Sequence, residues 1–102
     1  MIPLIEHHRD ALTALCRKYG VSRLELFGSA AEQNDDAAAR DLDFLVTFRD
    51  MHNLGPADQY FGLLVNLRRL FARSVDLVCA EAMRNPYFIR EVNRSRSLLY
   101  AA

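Results

Sequence analysis

The chain has 102 residues, of which 51% are hydrophobic, enough for one compact domain over 1–102 but too few for a second, substrate-holding domain. Its 13 basic and 13 acidic residues cancel, which argues against a general binder of nucleic acid or of membrane surfaces. No apolar run approaches the length of a membrane span, and the N-terminus lacks the basic start and long apolar stretch of a signal peptide. We therefore expect a cytoplasmic protein without membrane contact.

Apolar periodicity and turn residues divide the chain into seven elements. In chain order they are a helix over 4–19, a strand over 21–28, a short helix over 30–33, a strand over 42–48, a helix over 56–71, a strand over 74–80 and a helix over 86–93. Residues 34–40 are expected to form a polar loop, and the apolar segment 97–101 to pack as a tail.

The first predicted strand alternates, with Leu24 and Leu26 facing inward and Glu25 facing outward. Cys16 and Cys79 have apolar neighbours and no metal-ligand spacing, so both are interpreted as buried, reduced thiols.

The order of elements is α-β-α-β-α-β-α, which predicts an α/β (α+β) fold with a small mixed sheet of three or more strands flanked by helices. The second and third strands are joined by a long helix, the usual connection between parallel neighbours. The first and second strands are joined by a shorter segment, which favours antiparallel pairing.

Acidic residues stand near the start of two of these strands. Asp41 and Asp43 are two positions apart, so they project from one face about 7 Å from each other. Asp76 precedes a similar apolar run in the third strand, and parallel pairing would bring it beside them. Clustered carboxylates repel one another, and such oxygen-rich sites suit two magnesium or manganese ions of the kind that support phosphoryl transfer.

A Gly28-Ser29 pair ends the first strand and supplies the features of a phosphate site. Glycine allows close approach of the backbone, and the serine hydroxyl and free N–H groups of the following helix are donors for an anion. A nucleoside triphosphate would place its distal phosphates on this pair and its α-phosphate at the carboxylates. Gly28 and Ser29 are therefore candidate nucleotide-binding residues.

An apolar strand ending in Gly-Ser, then Asp-x-Asp on a second strand and a lone Asp on a third, resembles the DNA polymerase beta-like nucleotidyltransferase superfamily. The short chain and its tail "NPYFIREVNRSRSLLYA" resemble the minimal nucleotidyltransferases, the MNT or MntA-like antitoxins. The resemblance spans nearly the whole chain and implies a palm-like core.

The resemblance also implies roles for single residues. Gly28 and Ser29 would bind the triphosphate of ATP, and Asp41 and Asp43 would hold two Mg²⁺ ions, with Mn²⁺ as the alternative. Asp76 would contribute to one metal site and act as general base toward the attacking hydroxyl. The implied partner is a HEPN-type toxin, whose tyrosine would receive AMP in a hetero-oligomer. Direct nucleic-acid binding is not expected, and a homodimer stays open.

The chain departs from the family pattern after Gly-Ser, where many relatives have an arginine and then a glycine. Here Ala30 follows, and the acidic residues Glu32, Asp35 and Asp36 would oppose phosphates. Two alternatives therefore stay open: an inactive antitoxin that acts by binding its toxin, and an enzyme that modifies a small molecule.

Three arginines, Arg68, Arg69 and Arg73, gather near the end of the long predicted helix. A favourable interaction with the helix dipole is the simplest interpretation, and contact with a partner is the more specific one.

Overall fold

The computed structural model describes residues 2–32 and 40–102. In these two ranges the helices are α1 Pro3–His7, α2 Arg9–Lys18, α3 Ser29–Glu32, α4 Pro56–Phe71 and α5 Pro86–Ser95, with a short 3-10 turn over Ala80–Ala82. The strands are β1 Val21–Phe27, β2 Asp41–Phe48, β3 Ser74–Cys79 and β4 Ser97–Ala101. The end of the short helix predicted at Gln33, residues 34–39 of the loop predicted over 34–40, and the pair Asp35-Asp36 lie outside the described residues.

The strands form one mixed sheet in the order β3-β2-β1-β4. β2 and β3 are parallel and joined through α4, whereas β1 pairs antiparallel with both β2 and β4. The predicted mixed sheet, the parallel β2–β3 pair and the antiparallel β1–β2 pair are confirmed. β2 therefore lies between two neighbours, which explains why its sequence is apolar at nearly every position.

The two faces of the sheet are covered unequally. The main core lies between one face and helices α1, α2 and α4, where Phe44 of β2 stacks on Phe71 of α4 with ring centroids 5.9 Å apart. On the other face, Val92 of α5 packs on Phe27 and Leu45 in a smaller cluster. Because side chains alternate along a strand, Asp43 shares this second face with Leu45. The predicted site residues therefore lie on the more open face.

The first predicted helix forms two helices that meet at His8. In an unbroken helix the backbone N–H of His8 would donate to the Leu4 carbonyl oxygen. Here that oxygen forms a hydrogen bond of 2.8 Å with Nδ1 of the His8 ring instead. The His8 backbone N–H donates to Ile5 instead, at 3.1 Å. A side chain that competes for a backbone carbonyl thus divides the segment, which apolar periodicity does not reveal.

The C-terminal tail forms a fourth strand, β4, which pairs with β1. This neighbour explains a wrong prediction for Glu25, which was expected to face solvent but is only 4% exposed. Arg96, immediately before β4, forms two hydrogen bonds with its carboxylate, of 2.8 and 2.6 Å, and Arg23 donates a third at 3.0 Å. These bonds hold the pKa of Glu25 below its usual range, Arg96 contributing most.

Both cysteines are free. Cys16 is fully buried, and burial raises the pKa of its thiol to about 12, whereas Cys79 is only half-buried. Nowhere in residues 2–32 and 40–102 is a helix both long and apolar enough to cross a membrane.

Candidate active site

The register of the parallel β2–β3 pair decides which carboxylates meet. Asp43 lies directly opposite Asp76, and Asp41 lies opposite Ser74. Opposed residues share a face of the sheet, so Asp43 and Asp76 project together while Asp41 stands two residues further out on the same face. Asp43 is half-buried, whereas Asp41 and Asp76 are exposed.

The electrostatics of these carboxylates are unfavourable without a cation. The pKa of Asp43 is raised, chiefly by burial, then by the negative charges of Asp76 and Asp41, and by a side-chain hydrogen bond with Asp76. Each of these effects disfavours the charged form of Asp43. A bound cation would reverse the effect of the neighbouring charges.

Carboxylate oxygens of this kind are the ligands that Mg²⁺ prefers, so the residues fit a divalent ion in their chemistry. The arrangement of these side chains, however, does not supply a full set of metal ligands. Among the described side chains, no three from Asp, Glu, His and Cys lie close enough together to hold a metal ion as they stand. The structure thus brings Asp43 and Asp76 together, and the negative charge of Asp41 also acts on Asp43. The assignment of metal ions to all three carboxylates stays a prediction.

Gly28 ends β1 beside this acidic pair. Its φ of +74° lies in the left-handed region, and a Cβ built on it would lie 2.5 Å from Oδ2 of Asp43. Its N–H donates to the Ser95 Oγ at 2.8 Å. Position 28 therefore requires a glycine because the Asp43 carboxylate lies so close to its backbone. The sequence did not indicate that Ser95 would form a hydrogen bond with the backbone of Gly28.

Ser29 begins α3, a single turn. The next residue, Ala30, is fully buried in the main core, so its side chain faces inward and offers no contact to a phosphate. Glu32 is exposed at the end of this turn. The binding of a triphosphate by Gly28 and Ser29 stays a prediction.

A cleft of about 330 Å³ opens beside the acidic pair. Its walls are contributed by β1, β2, β3, α4 and α5, and the lining residues are Phe27, Asp43, Tyr60, Leu64, Arg68, Val75, Asp76, Leu77, Val78 and Phe88. The volume lies within the range of small-molecule sites. Asp43 and Asp76 therefore face a space in which a substrate group can be held.

Two α4 side chains in this cleft bind the outer backbone of β3. The Tyr60 hydroxyl donates to the Leu77 carbonyl oxygen at 2.6 Å, and Arg68 donates to the Val75 carbonyl oxygen at 3.4 Å. Burial raises the pKa of Tyr60, with smaller effects from neighbouring charges. The sequence predicted Arg68 near a helix end but neither of these contacts with β3, because the helical pattern does not show which sheet edge the helix covers.

Comparison with known proteins gives a consistent result. A family model described as nucleotidyltransferase domain matches residues 8–99. A search of curated protein sequences found no match. Among solved structures, a candidate minimal nucleotidyltransferase is 27% identical, with a TM-score of 0.67 over 90% of this chain and 89% of that one.

Two further solved structures are complexes. A chain from the complex of the tri-AMPylated Shewanella oneidensis HEPN toxin with MNT antitoxin is 19% identical, with a TM-score of 0.65 over 96% of this chain and 73% of that one. A chain from a toxin–antitoxin complex with AMP-PNP is 20% identical, with a TM-score of 0.65 over 92% and 73%. At sequence identities of 19% and 20%, the similarity to these two chains shows a shared fold.

Proposed function

Since the chain belongs to the nucleotidyltransferase domain family, we propose that it is a Mg²⁺-dependent nucleotidyltransferase that moves AMP from ATP to a hydroxyl of a partner protein. The observation that supports this proposal most is the placement of Asp43 opposite Asp76, with Gly28 packed against Asp43, at the mouth of a cleft. Paired carboxylates beside a glycine turn are suited to a nucleotide with its metal ions.

Each residue has a proposed role. Asp41, Asp43 and Asp76 would hold two Mg²⁺ ions, which when bound would neutralise the triphosphate charge. Gly28 and Ser29 would face the distal phosphates. Asp76, exposed at the cleft, would accept the proton of the attacking hydroxyl as its oxygen bonds to the α-phosphorus. The bond from the α-phosphorus to the bridging oxygen then breaks, and pyrophosphate leaves.

The proposed partner is a HEPN-type toxin, and the protein would then be its antitoxin. This part of the proposal is supported by the likeness in fold to chains from toxin–antitoxin complexes. The acceptor would be a tyrosine hydroxyl, supplied by the partner rather than by a second domain of this chain.

A second candidate function is an antitoxin that acts by binding alone. Two observations favour it: Ala30, which follows the Gly28-Ser29 pair, is buried and offers no contact to a phosphate, and the described acidic side chains do not form a three-residue metal cluster as they stand. Such a protein would bind the toxin without transferring a nucleotide.

The test uses α-labelled ATP, Mg²⁺ and the product of the neighbouring gene, provided that it encodes a small helical protein with an Arg-x(4–6)-His motif. For the enzyme we expect label on the partner, lost with EDTA and with Asp41→Asn plus Asp43→Asn. Asp50→Asn, an exposed loop carboxylate outside the candidate site, is the matched control and should leave labelling unchanged.

Size-exclusion chromatography of the same mixtures separates the two candidates. Tight complex formation without labelling, unaffected by the double variant, would replace the enzyme by the binding antitoxin. Labelling that persists in the double variant would overturn the assignment of the carboxylates.

A further inference from the structure

Both polar backbone groups of Gly28 are engaged by other parts of the chain. Its N–H donates to the Ser95 Oγ at 2.8 Å, and its carbonyl oxygen accepts from the Ala31 N–H at 3.2 Å. The Asp43 carboxylate fills the space where a Cβ would lie. A phosphate that approaches this turn therefore finds the Gly28 N–H already in use, and in this conformation the glycine does not offer it as a donor.

The Ser95 hydroxyl, in contrast, still has a proton to donate. A serine hydroxyl has one O–H donor and two acceptor lone pairs, and the Gly28 N–H uses only one lone pair. Within residues 2–32 and 40–102, no acceptor receives the Ser95 proton. The side chain is half-buried, so the proton is accessible to a ligand.

The bond from Gly28 also makes this hydroxyl a better donor. Hydrogen bonds in a chain polarise one another, so an oxygen that accepts from an N–H donates its own proton more strongly to the next acceptor. A phosphate oxygen is charged, and charge-assisted hydrogen bonds are roughly twice as strong as neutral ones. The Gly28 N–H and the Ser95 hydroxyl are therefore arranged as a relay toward an anion.

Ser95 is held in place from both sides along the chain. Val92, three residues earlier in α5, packs on Phe27 of β1. Arg96, the next residue, forms hydrogen bonds with the Glu25 carboxylate of the same strand. A donor that is fixed before its ligand arrives loses little conformational freedom on binding, so the hydroxyl is preorganised for this task.

Attachment of α5 to β1 does not depend on the Ser95 bond. The Arg96–Glu25 pair and the apolar contact of Val92 join the same two parts of the fold, and water can satisfy the Gly28 N–H at a half-exposed position. A serine at position 95 is therefore better explained by the group that its remaining proton can bind.

We infer that Ser95 is a nucleotide-binding residue, whose Oγ accepts from the Gly28 N–H while its proton is donated to a distal phosphate oxygen of ATP. The inference rests on the proposed function, because the ligand is the triphosphate that would lie on Gly28 and Ser29. It assigns the donor at this turn to a side chain of α5 rather than to the backbone of Gly28. The docking of α5 then contributes directly to nucleotide affinity.

Equilibrium binding of AMP-PNP in the presence of Mg²⁺, measured by calorimetry, tests this without turnover. Ser95→Ala should weaken binding about tenfold, the value of one hydrogen bond to a charged group, and Ser95→Thr, which keeps the hydroxyl, should stay close to wild type. Binding of AMP, which lacks the distal phosphates, should not change in an NMR titration. Ser22→Ala is the matched control, because the Ser22 hydroxyl donates to the Thr47 carbonyl oxygen at 3.0 Å, outside the site, and its loss should leave AMP-PNP affinity unaltered.

Equal affinity of wild type and Ser95→Ala for AMP-PNP would overturn the inference and leave the proposed function standing. Tighter binding by Ser95→Ala would overturn it also, because the freed Gly28 N–H would then be the donor. Equal weakening of AMP-PNP and AMP binding would do the same, since the hydroxyl would then act only on the shape of the turn. Failure of the wild type to bind AMP-PNP would overturn the proposed enzyme together with the inference.

Discussion

Gly28 and Asp43 are packed so closely that the carboxylate occupies the space where any other residue at position 28 would place its Cβ, 2.5 Å from Oδ2. The φ of Gly28 is also positive, at +74°. The glycine thus serves two needs at once, the left-handed turn out of β1 and the room for a half-buried carboxylate. This relationship connects the stability of the turn with the position of the candidate metal ligand.

We expect Gly28→Ala to lower the free energy of unfolding by about 1–2 kcal/mol, the cost of a left-handed φ for an L-residue. The Asp43 side chain can rotate away from the new methyl group, so the loss of nucleotide transfer should exceed what this destabilisation explains. Gly55→Ala is the control, because a Cβ at Gly55 meets nothing within 4 Å. Urea unfolding of both variants measures the difference, and equal stability of the two would contradict the prediction.

Arg96→Ala should destabilise the protein by about 2 kcal/mol, because it leaves the buried carboxylate of Glu25 without its main partner. Arg94→Ala is the matched control: Arg94 is 66% exposed and pairs with an exposed Glu91, so its removal should cost less than about 1 kcal/mol. Amide exchange at Leu99 and Tyr100 should quicken in the first variant, since Arg96 connects the start of β4 to β1.

The pH dependence of this effect has a definite sign. The pKa of Glu25 is lowered in the folded state, so its pairing stabilises the protein above the usual carboxyl range and is lost as the pH falls through the lowered value. The difference between wild type and Arg96→Ala should shrink in acid. A difference that stays constant down to unfolding would argue against Glu25 as the cause.

Asp43 should show the opposite behaviour. Its pKa is raised, so above the ordinary carboxyl value the folded state holds more protons than the unfolded chain, and the free energy of unfolding falls as the pH rises. In EDTA, Asp43→Asn should therefore be increasingly stable relative to wild type from about pH 4 toward neutrality. Urea unfolding across this range, with Asp50→Asn for comparison, checks the trend, and a pH-independent difference would be evidence against it.

The sequence was most informative where local pattern and topology agree. The run of apolar residues in β2 and the long helix α4 predicted the parallel β2–β3 pair, and the register of this pair places Asp76 opposite Asp43. The Gly28-Ser29 pair likewise indicated the end of β1, because a glycine after an alternating apolar run is a local signal. These features depend on residues close in sequence or on a single crossover.

Contacts between distant residues could not be predicted in this way. The bonds from Arg96 to Glu25 join residues 71 positions apart, and five residues of β4 carry too little pattern to indicate a strand. The break at His8 depends on a side-chain hydrogen bond, and the contact of Ser95 with Gly28 on the docking of α5. Each of these requires knowledge of how packed elements lie in space.

The bonds from Tyr60 and Arg68 to β3 have one more consequence. β3 lies at one edge of the described sheet, and exposed strand edges invite pairing with a second chain. By engaging the carbonyl oxygens of Leu77 and Val75, the two α4 side chains obstruct such pairing at the margin of the cleft. Tyr60 and Arg68 therefore line the candidate site and also hinder strand pairing between two copies of the chain. We expect substitution of either residue to increase self-association as well as to change the chemistry of the site.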